Sequence, residues 1–398
     1  MLSPEYLAGL ADSMVASFGE AEADITADIV RRVIKTGEVT NTAAWQIEKA
    51  KQAGLLQQDI KKAIAQAAGL SEKEVDQLLK EAGIKALAFD DAIYRMAGFV
   101  PLGLSESPAL SAILFQGADA TKRLLNNYTQ TRAKTTEIAF RNLTDRAFLQ
   151  VASGAMDSNT AIRRAVDELA KKDIETIAYP SGAVHGMDYS VRRAVITGIN
   201  QAVAKLQLAR AEELGCNLVQ VTSHVGARPS HAVWQGGIYC IKGHHKHYGD
   251  FYRETGYGDG DGLCGWNCYH SFYPFFEGLS TSAFSRDPAA DVGKDNDKEY
   301  ELSQKQRKYE RQIRATKREC VAYDAAVRAE KNEELKEAYK QDFQRASFKL
   351  KRQEAALDKF LSETGRTRLK EREQAPGFNR SVSGKAVWAN RKAEQQNK

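Results

Sequence analysis

Residues 189–222 read YSVRRAVITGINQAVAKLQLARAEELGCNLVQVT, and the change of period inside them sets the fold class. Val191, Val195, Ile199, Val203 and Leu206 recur at three- and four-residue steps, the stripe of an amphipathic helix. Gly215 closes that pattern. Leu218-Val219-Gln220-Val221-Thr222 then alternates with β-branched residues, which marks a strand, and Ile238-Tyr239-Cys240-Ile241 reads as a second short one. A helix feeding strands defines a small α+β domain, bounded at 181–285. Its upstream edge is the turn signal Tyr179-Pro180-Ser181-Gly182.

Upstream, residues 1–180 form a helical region. Proline is absent from 109–179, so uninterrupted helix is allowed there. Leu124, Leu125, Tyr128, Thr135, Ile138, Ala139 and Leu143 keep a period near 3.6, followed by Ile162, Ala165, Val166 and Leu169. The first hundred residues instead suggest short helices. Ala53-Gly54-Leu55, Ala68-Gly69-Leu70 and Ala82-Gly83-Ile84 each close a helical pattern with a Gly suited to a left-handed cap, and Ser71 with Glu74 makes a capping box. Such pieces suit a small bundle better than a helix-turn-helix DNA reader, since Gln57–Lys85 is not notably basic.

Downstream, Lys294 to Thr364 contains neither Gly nor Pro. Its apolar residues are sparse and keep no strict heptad, so two or three antiparallel helices, or one long helix lying on a partner, fit better than a coiled coil. This basic helical segment is assigned to 286–375. The polar stretch 376–398 reads as a flexible tail, ordered only by a partner. The expected class is therefore α+β, predominantly helical.

Charge is unevenly spread. From Lys294 onward there are 27 Lys and Arg against 18 Asp and Glu, while the rest carries 30 against 34. A mildly acidic body with a basic arm points to a polyanionic partner for the arm alone. Lys305, Arg307, Lys308, Arg311, Arg314, Lys317 and Arg318 face a single acid, Glu310, within that stretch. Arg307, Lys308, Arg311, Arg314, Lys317 and Arg318 are the candidate DNA or phosphate contacts; a solvated helix face is the competing reading. No run approaches the ~18 apolar residues of a membrane span. The start, MLSPEYLAGLADSM, lacks a basic region followed by an apolar stretch, so no secretory signal is expected. Five cysteines without an export signal argue against a disulfide framework and for a reducing cytoplasm.

Six of the seven histidines lie between His224 and His270, and four of the five cysteines between Cys216 and Cys268. Thiols and imidazoles are the side chains zinc selects. Cys240-x3-His244 and Cys264-x3-Cys268 offer a candidate quartet for structural zinc, with His231 and His270 as alternative ligands. Packing of buried thiols and hydrogen-bonded imidazoles is the other reading. The same histidines with Asp250, Asp259, Asp261 and Asn267 are ingredients of a metal-dependent nuclease, although no recognisable nuclease arrangement emerges. Walker, GxSxG and GxGxxG motifs are absent.

Ser223-His224-Val225-Gly226-Ala227-Arg228-Pro229-Ser230-His231-Ala232-Val233-Trp234-Gln235-Gly236 resembles the phage minor capsid protein 2 family, relatives of Mu F-type head morphogenesis proteins. The resemblance continues through Thr255–Gly258, Gly262–Cys268 and His270–Phe275, and returns at Tyr309–Arg314 and Lys317-Arg318. It implies a Mu F-like α+β domain and a structural role. The signature residues are Arg228, His231, Trp234, Gly236, Gly262, Trp266, Asn267, Cys268 and His270, and no catalytic residue is implied. Members are expected in few copies inside a tailed-phage head, near the portal, assisting assembly and DNA packaging or ejection. Implied partners are portal, major capsid or scaffold proteins and packaged double-stranded DNA, with a stay in the host cytoplasm during assembly. The alternatives from other classes are a metal-dependent nuclease and an injected effector acting on DNA.

Overall fold

A computed structural model describes residues 1–38, 42–171, 177–178, 184–185 and 187–396. The turn at Tyr179-Pro180-Ser181-Gly182, and the 180/181 boundary with it, lies outside them. Helices α1 (Pro4–Gly9), α2 (Asp12–Gly37), α3 (Thr42–Met96), α4 (Pro108–Ala152) and α5 (Ser158–Lys171) come first. An antiparallel pair, β1 (Ile177–Ala178) and β2 (Val184–His185), precedes α6 (Met187–Glu213). There follow β3 (Leu218–Val221), α7 (Pro229–Ala232), β4 (Ile238–Cys240), β5 (Gly249–Asp250), α8 (Phe251–Thr255) and β6 (Phe272–Pro274). Helices α9 (Asn296–Ala329), α10 (Glu333–Thr364) and α11 (Arg380–Gln396) complete the order. The chain is α+β and predominantly helical.

The described chain divides into two compact units. The first combines Met1–Val15, Gly69–Asn126 and Val191–Gln304; the second combines Ala16–Ala68, Asn127–Ser190 and Lys305–Lys398. Neither is one continuous stretch, unlike the sequential blocks drawn from the sequence.

Beyond the six-residue α1, the short helices expected of the first hundred residues do not occur. Helix α3 runs through Gly54, Gly69 and Gly83, and none of the three has the positive φ that a left-handed cap needs. Glycine inside a helix costs only about 1 kcal/mol against alanine, which a helix of 55 residues absorbs. Residue 71 is helix interior, so the capping box has no helix start to serve; Glu74 accepts a hydrogen bond from Ser13 instead. Gly83 has a packing reason: a Cβ there would lie 3.1 Å from Leu206 and 3.2 Å from Leu114.

In the first unit α6 is the central helix. A Cβ on Gly198 would sit 2.3 Å from Thr121 Oγ1, and one on Gly117 2.5 Å from Ala202 Cβ, so α4 and α6 meet with each glycine seated on a small side chain of the other helix. The sheet has the order β5-β4-β3-β6. Strand β3 is antiparallel to β4 (Val219 opposite Tyr239) and to β6 (Val221 opposite Phe272), while β4 and β5 are parallel. Alternation sends Val219, Val221, Tyr239 and Phe272 into a core with Ala204, Trp234, Phe251, Leu263, Cys264 and Cys268. Leu218, Cys240 and Phe275 pack on the opposite face.

The second unit is a helical assembly with its own core. Ile29, Val33, Trp45, Leu56, Phe140, Ile162, Val166, Tyr323, Phe343 and Val382 belong to it, drawn from seven helices. Helices α9 and α10 run antiparallel, with Lys349 on Glu319 and Arg366 on Gln306. The break between them needs no Gly or Pro, because Asn332 caps α10 by accepting from the Glu334 and Leu335 amides. The expected flexible tail is corrected here: most of it is α11, capped by Asn379. Val382 and Ala386 are buried in the core. Their four-residue spacing gives a narrow apolar stripe that the polar composition hides.

Candidate functional site

Strand β3 ends at Val221, and the chain then leaves the sheet towards Arg228 and Pro229. Pro229 is the first residue of α7, where its missing N–H is no loss, and His231 sits in that short helix. On the opposite side, 256–268 is a chain of turns. Gly256 is left-handed, and a Cβ on Gly262 would lie 1.9 Å from the Gly256 carbonyl oxygen. Cys264 and Asn267 are also left-handed, at φ 58° and 53°, a conformation costing about 1–2 kcal/mol in residues with a Cβ. The turn is held in place from α6. Asn200 Nδ2 donates to the carbonyls of Cys268 and His270 at 3.1 Å each, and Thr197 Oγ1 accepts from the Asn267 amide at 3.3 Å.

These anchors bring His231, Cys268 and His270 together, all buried, with one ligand-type atom of each within 4.8 Å of the others. Cys268 Sγ lies 3.8 Å from His231 Nδ1 and 3.6 Å from His270 Nδ1. His231 Nε2 is 2.8 Å from the Asp261 carbonyl oxygen. His270 Nε2 is 3.1 Å from Gln235 Oε1, which also accepts from the His224 amide at 3.1 Å. The His224 ring stacks on His270 at 4.5 Å between centroids. Burial pushes His231 down to about 4 and His270 well below the usual imidazole range, and raises the Cys268 thiol to about 11. All three are therefore neutral at pH 7 when the cluster stands alone.

The quartet proposed from spacing is not what assembles. Cys240 lies on the other sheet face, its sulfur between Asn217 Nδ2 and the Lys242 carbonyl. His244 is exposed, and Cys264 is buried with its thiol directed at the His270 carbonyl at 3.8 Å. Spacing along the chain could not reveal that α6 clamps 268–270 against α7. The two alternative ligands, His231 and His270, are the ones that join Cys268. The acids stay apart from this cluster: Asp250 caps α8 through the Arg253 amide, and Asp259 and Asp261 are exposed.

The remaining signature residues hold backbone. Arg228 Nη2 donates to the Trp266 carbonyl at 3.4 Å. Trp234 is buried, and its carbonyl accepts from Tyr239 Oη at 2.7 Å. Trp266 is 51% exposed. It lies against Gly260, where a Cβ would be 2.6 Å from its ring, and under the Arg193 guanidinium at 4.4 Å. Gly236, at φ +66°, passes beneath the Ser285 backbone.

The basic stripe of α9 is only partly open. Lys305, Lys308 and Arg311 are exposed. Arg314 donates to the Arg372 carbonyl, and Lys317 to that of Glu373 at 3.0 Å; Arg307 and Arg318 are half-buried. Glu310, the lone acid, is buried on the inward face and accepts from Gln306 Nε2 at 3.0 Å. Burial raises its carboxyl above the usual range, so the folded state binds its proton more tightly than the unfolded one. That contribution is present below the unfolded value and lost as pH rises through the folded one. Glu310→Gln should therefore raise the melting temperature at pH 7 and flatten its decline from pH 4.5 upward; thermal melts across that range check it.

A family model described as phage minor capsid protein 2 matches residues 2–362, which take in the His/Cys turn, α9 and most of both units. The chain belongs to the phage minor capsid protein 2 family. A "Structural protein" of Lactococcus phage LL-H is 24% identical over 286 residues, covering 69% of this chain and 76% of that protein. No solved structure matches. Among the described residues no helix is long and apolar enough to cross a membrane. Within this family member, the positioning residues that sequence reasoning missed are amides: Asn200 and Gln235 at the cluster, Gln207 donating to the Phe272 carbonyl and Gln220 to that of Gly236. Asn200 and Gln207 had a readable signal, polar residues seven apart beside the apolar stripe of α6. Gln220, inside a buried strand, had one too.

Proposed function

We propose that this family member is a structural part of a tailed-phage head, seated inside it near the portal, where it assists assembly and DNA packaging or ejection without chemistry of its own. The observation that carries the reading is the family match over 2–362; the name of the Lactococcus phage relative, "Structural protein", supports it. In this reading 181–285 is the Mu F-like module, 286–375 is the arm turned towards the genome, and the partners are portal, major capsid or scaffold proteins. Virion particles are its final place and the host cytoplasm its place of assembly. Quantitative mass spectrometry of full heads and of heads that have ejected their DNA is the test. A few copies per full head support the reading, and their loss on ejection would show that the protein travels with the DNA. Absence from both kinds of particle would overturn it.

DNA contact falls to the open part of the α9 stripe. Lys305, Lys308 and Arg311 are exposed, with the Lys305 ammonium 5.4 Å from the Phe360 ring centroid, whereas Arg314 and Lys317 are engaged with carbonyls. Each phosphate neutralised adds about 0.9 to the slope of log affinity against log salt. The triple variant Lys305→Gln, Lys308→Gln, Arg311→Gln should lower that slope by about 3 in fluorescence titrations with duplex DNA. An unchanged slope would dismiss this face.

A further inference from the structure

We propose that His231 Nδ1, Cys268 Sγ and His270 Nδ1 form a binding site for a zinc-class divalent ion that ties α7 to the turn entering β6. The argument starts from proton positions. A backbone carbonyl only accepts, so the Asp261 oxygen 2.8 Å from His231 Nε2 places that ring's proton on Nε2. Gln235 Oε1 is fixed as the amide oxygen because the His224 N–H donates to it, so the proton of His270 also sits on Nε2. Both Nδ1 atoms are then bare, and both face one sulfur. A thiol has a single hydrogen and cannot answer two lone pairs, so the cluster taken alone leaves a buried acceptor without a donor, a costly state.

A divalent ion resolves this. Neutral imidazoles whose second nitrogen is held by a carbonyl or amide oxygen are the usual form of zinc-ligating histidine. With Zn–S near 2.3 Å and Zn–N near 2.0–2.1 Å in tetrahedral geometry, the S···N edge is about 3.5 Å. The observed separations are 3.6 and 3.8 Å, so these two edges already match, and the three ligand atoms lie within 4.8 Å of one another. The sulfur also accepts from the His270 amide at 3.4 Å, which favours thiolate. Among the described residues no fourth His, Cys, Asp or Glu atom joins the group, which leaves one tetrahedral vertex to a ligand from outside it. The ligand set is soft and nitrogen-rich, suited to zinc and unsuited to magnesium or calcium.

Elemental analysis of the untagged full chain, incubated with zinc and exchanged into metal-free buffer, should return about one equivalent. Less than a tenth of an equivalent would overturn the proposal. Cys268→Ser and His270→Gln should each lose the ion, whereas Cys240→Ser and His244→Gln should keep it; the reverse pattern would assign the metal elsewhere. Because Cys268→Ser could fail to fold, cobalt substitution of the unaltered chain gives a second readout. Tetrahedral d–d bands with a thiolate-to-cobalt charge-transfer band are expected, and bound cobalt without that band would sink the assignment.

Discussion

Gly236→Ala should destabilise the first unit by about 3 kcal/mol or more, from two separable causes. Gly236 has φ +66°, and a residue with a Cβ costs about 1–2 kcal/mol in that region. Its Cβ would also lie 2.1 Å from the Ser285 carbonyl oxygen and 2.5 Å from the Ser285 carbonyl carbon. Those are backbone atoms with no rotamer to change, so the segment itself must shift, and overpacking of that kind adds about 1–3 kcal/mol. The shift would also strain Gln220, whose Nε2 reaches the carbonyls of Gly236 and Phe284 at 3.0 and 3.1 Å. Gly278→Ala is the matched control, with φ +78° and nothing within 4 Å of its added Cβ. It carries the backbone strain alone. Urea denaturation followed by far-ultraviolet circular dichroism should give a much lower midpoint for Gly236→Ala than for Gly278→Ala. Equal midpoints would mean that the close approach to Ser285 is not there.

Both glycines look alike in the sequence, which shows where reading it stops. The 3.6-residue stripe from Val191 to Leu206 and the alternation of Leu218–Val221 are local signals, and α6 and β3 follow them. The Gly54, Gly69 and Gly83 expectation fails because glycine is permissive: it allows a left-handed cap but equally allows helix, and only the surroundings choose. The interleaved units were beyond reach because each joins stretches far apart in the chain, a property of contacts and not of period. At the site, residue types led to the right neighbourhood, while Cys240 and His244 were favoured by spacing and are absent from the cluster. Cys268 met His231 and His270 through an amide on a distant helix.

That amide sets the second large effect. Asn200 is buried and spends both Nδ2 hydrogens on the Cys268 and His270 carbonyls. Asn200→Ala removes the donors and opens a small cavity; two buried acceptors left unpaired cost about 1–3 kcal/mol each. Asn200→Asp keeps the shape but turns a double donor into an acceptor, bringing a carboxylate against two carbonyl oxygens in a dry site. The loss should be about 4 kcal/mol or more at pH 7, exceeding that of alanine. Burial and the facing carbonyls raise the folded-state pKa of the introduced carboxyl above its unfolded value, so its penalty is smallest below the unfolded value and grows as pH rises through the folded one. The two variants should therefore converge towards pH 4 and separate towards pH 7 in urea midpoints. Because Asn200 positions the backbone on both sides of the Cys268 sulfur, Asn200→Ala should also weaken retained zinc by about 10–100-fold. Parallel midpoints at every pH would show that residue 200 does not face two carbonyls, and the turn would then need another anchor to bring Cys268 and His270 to His231.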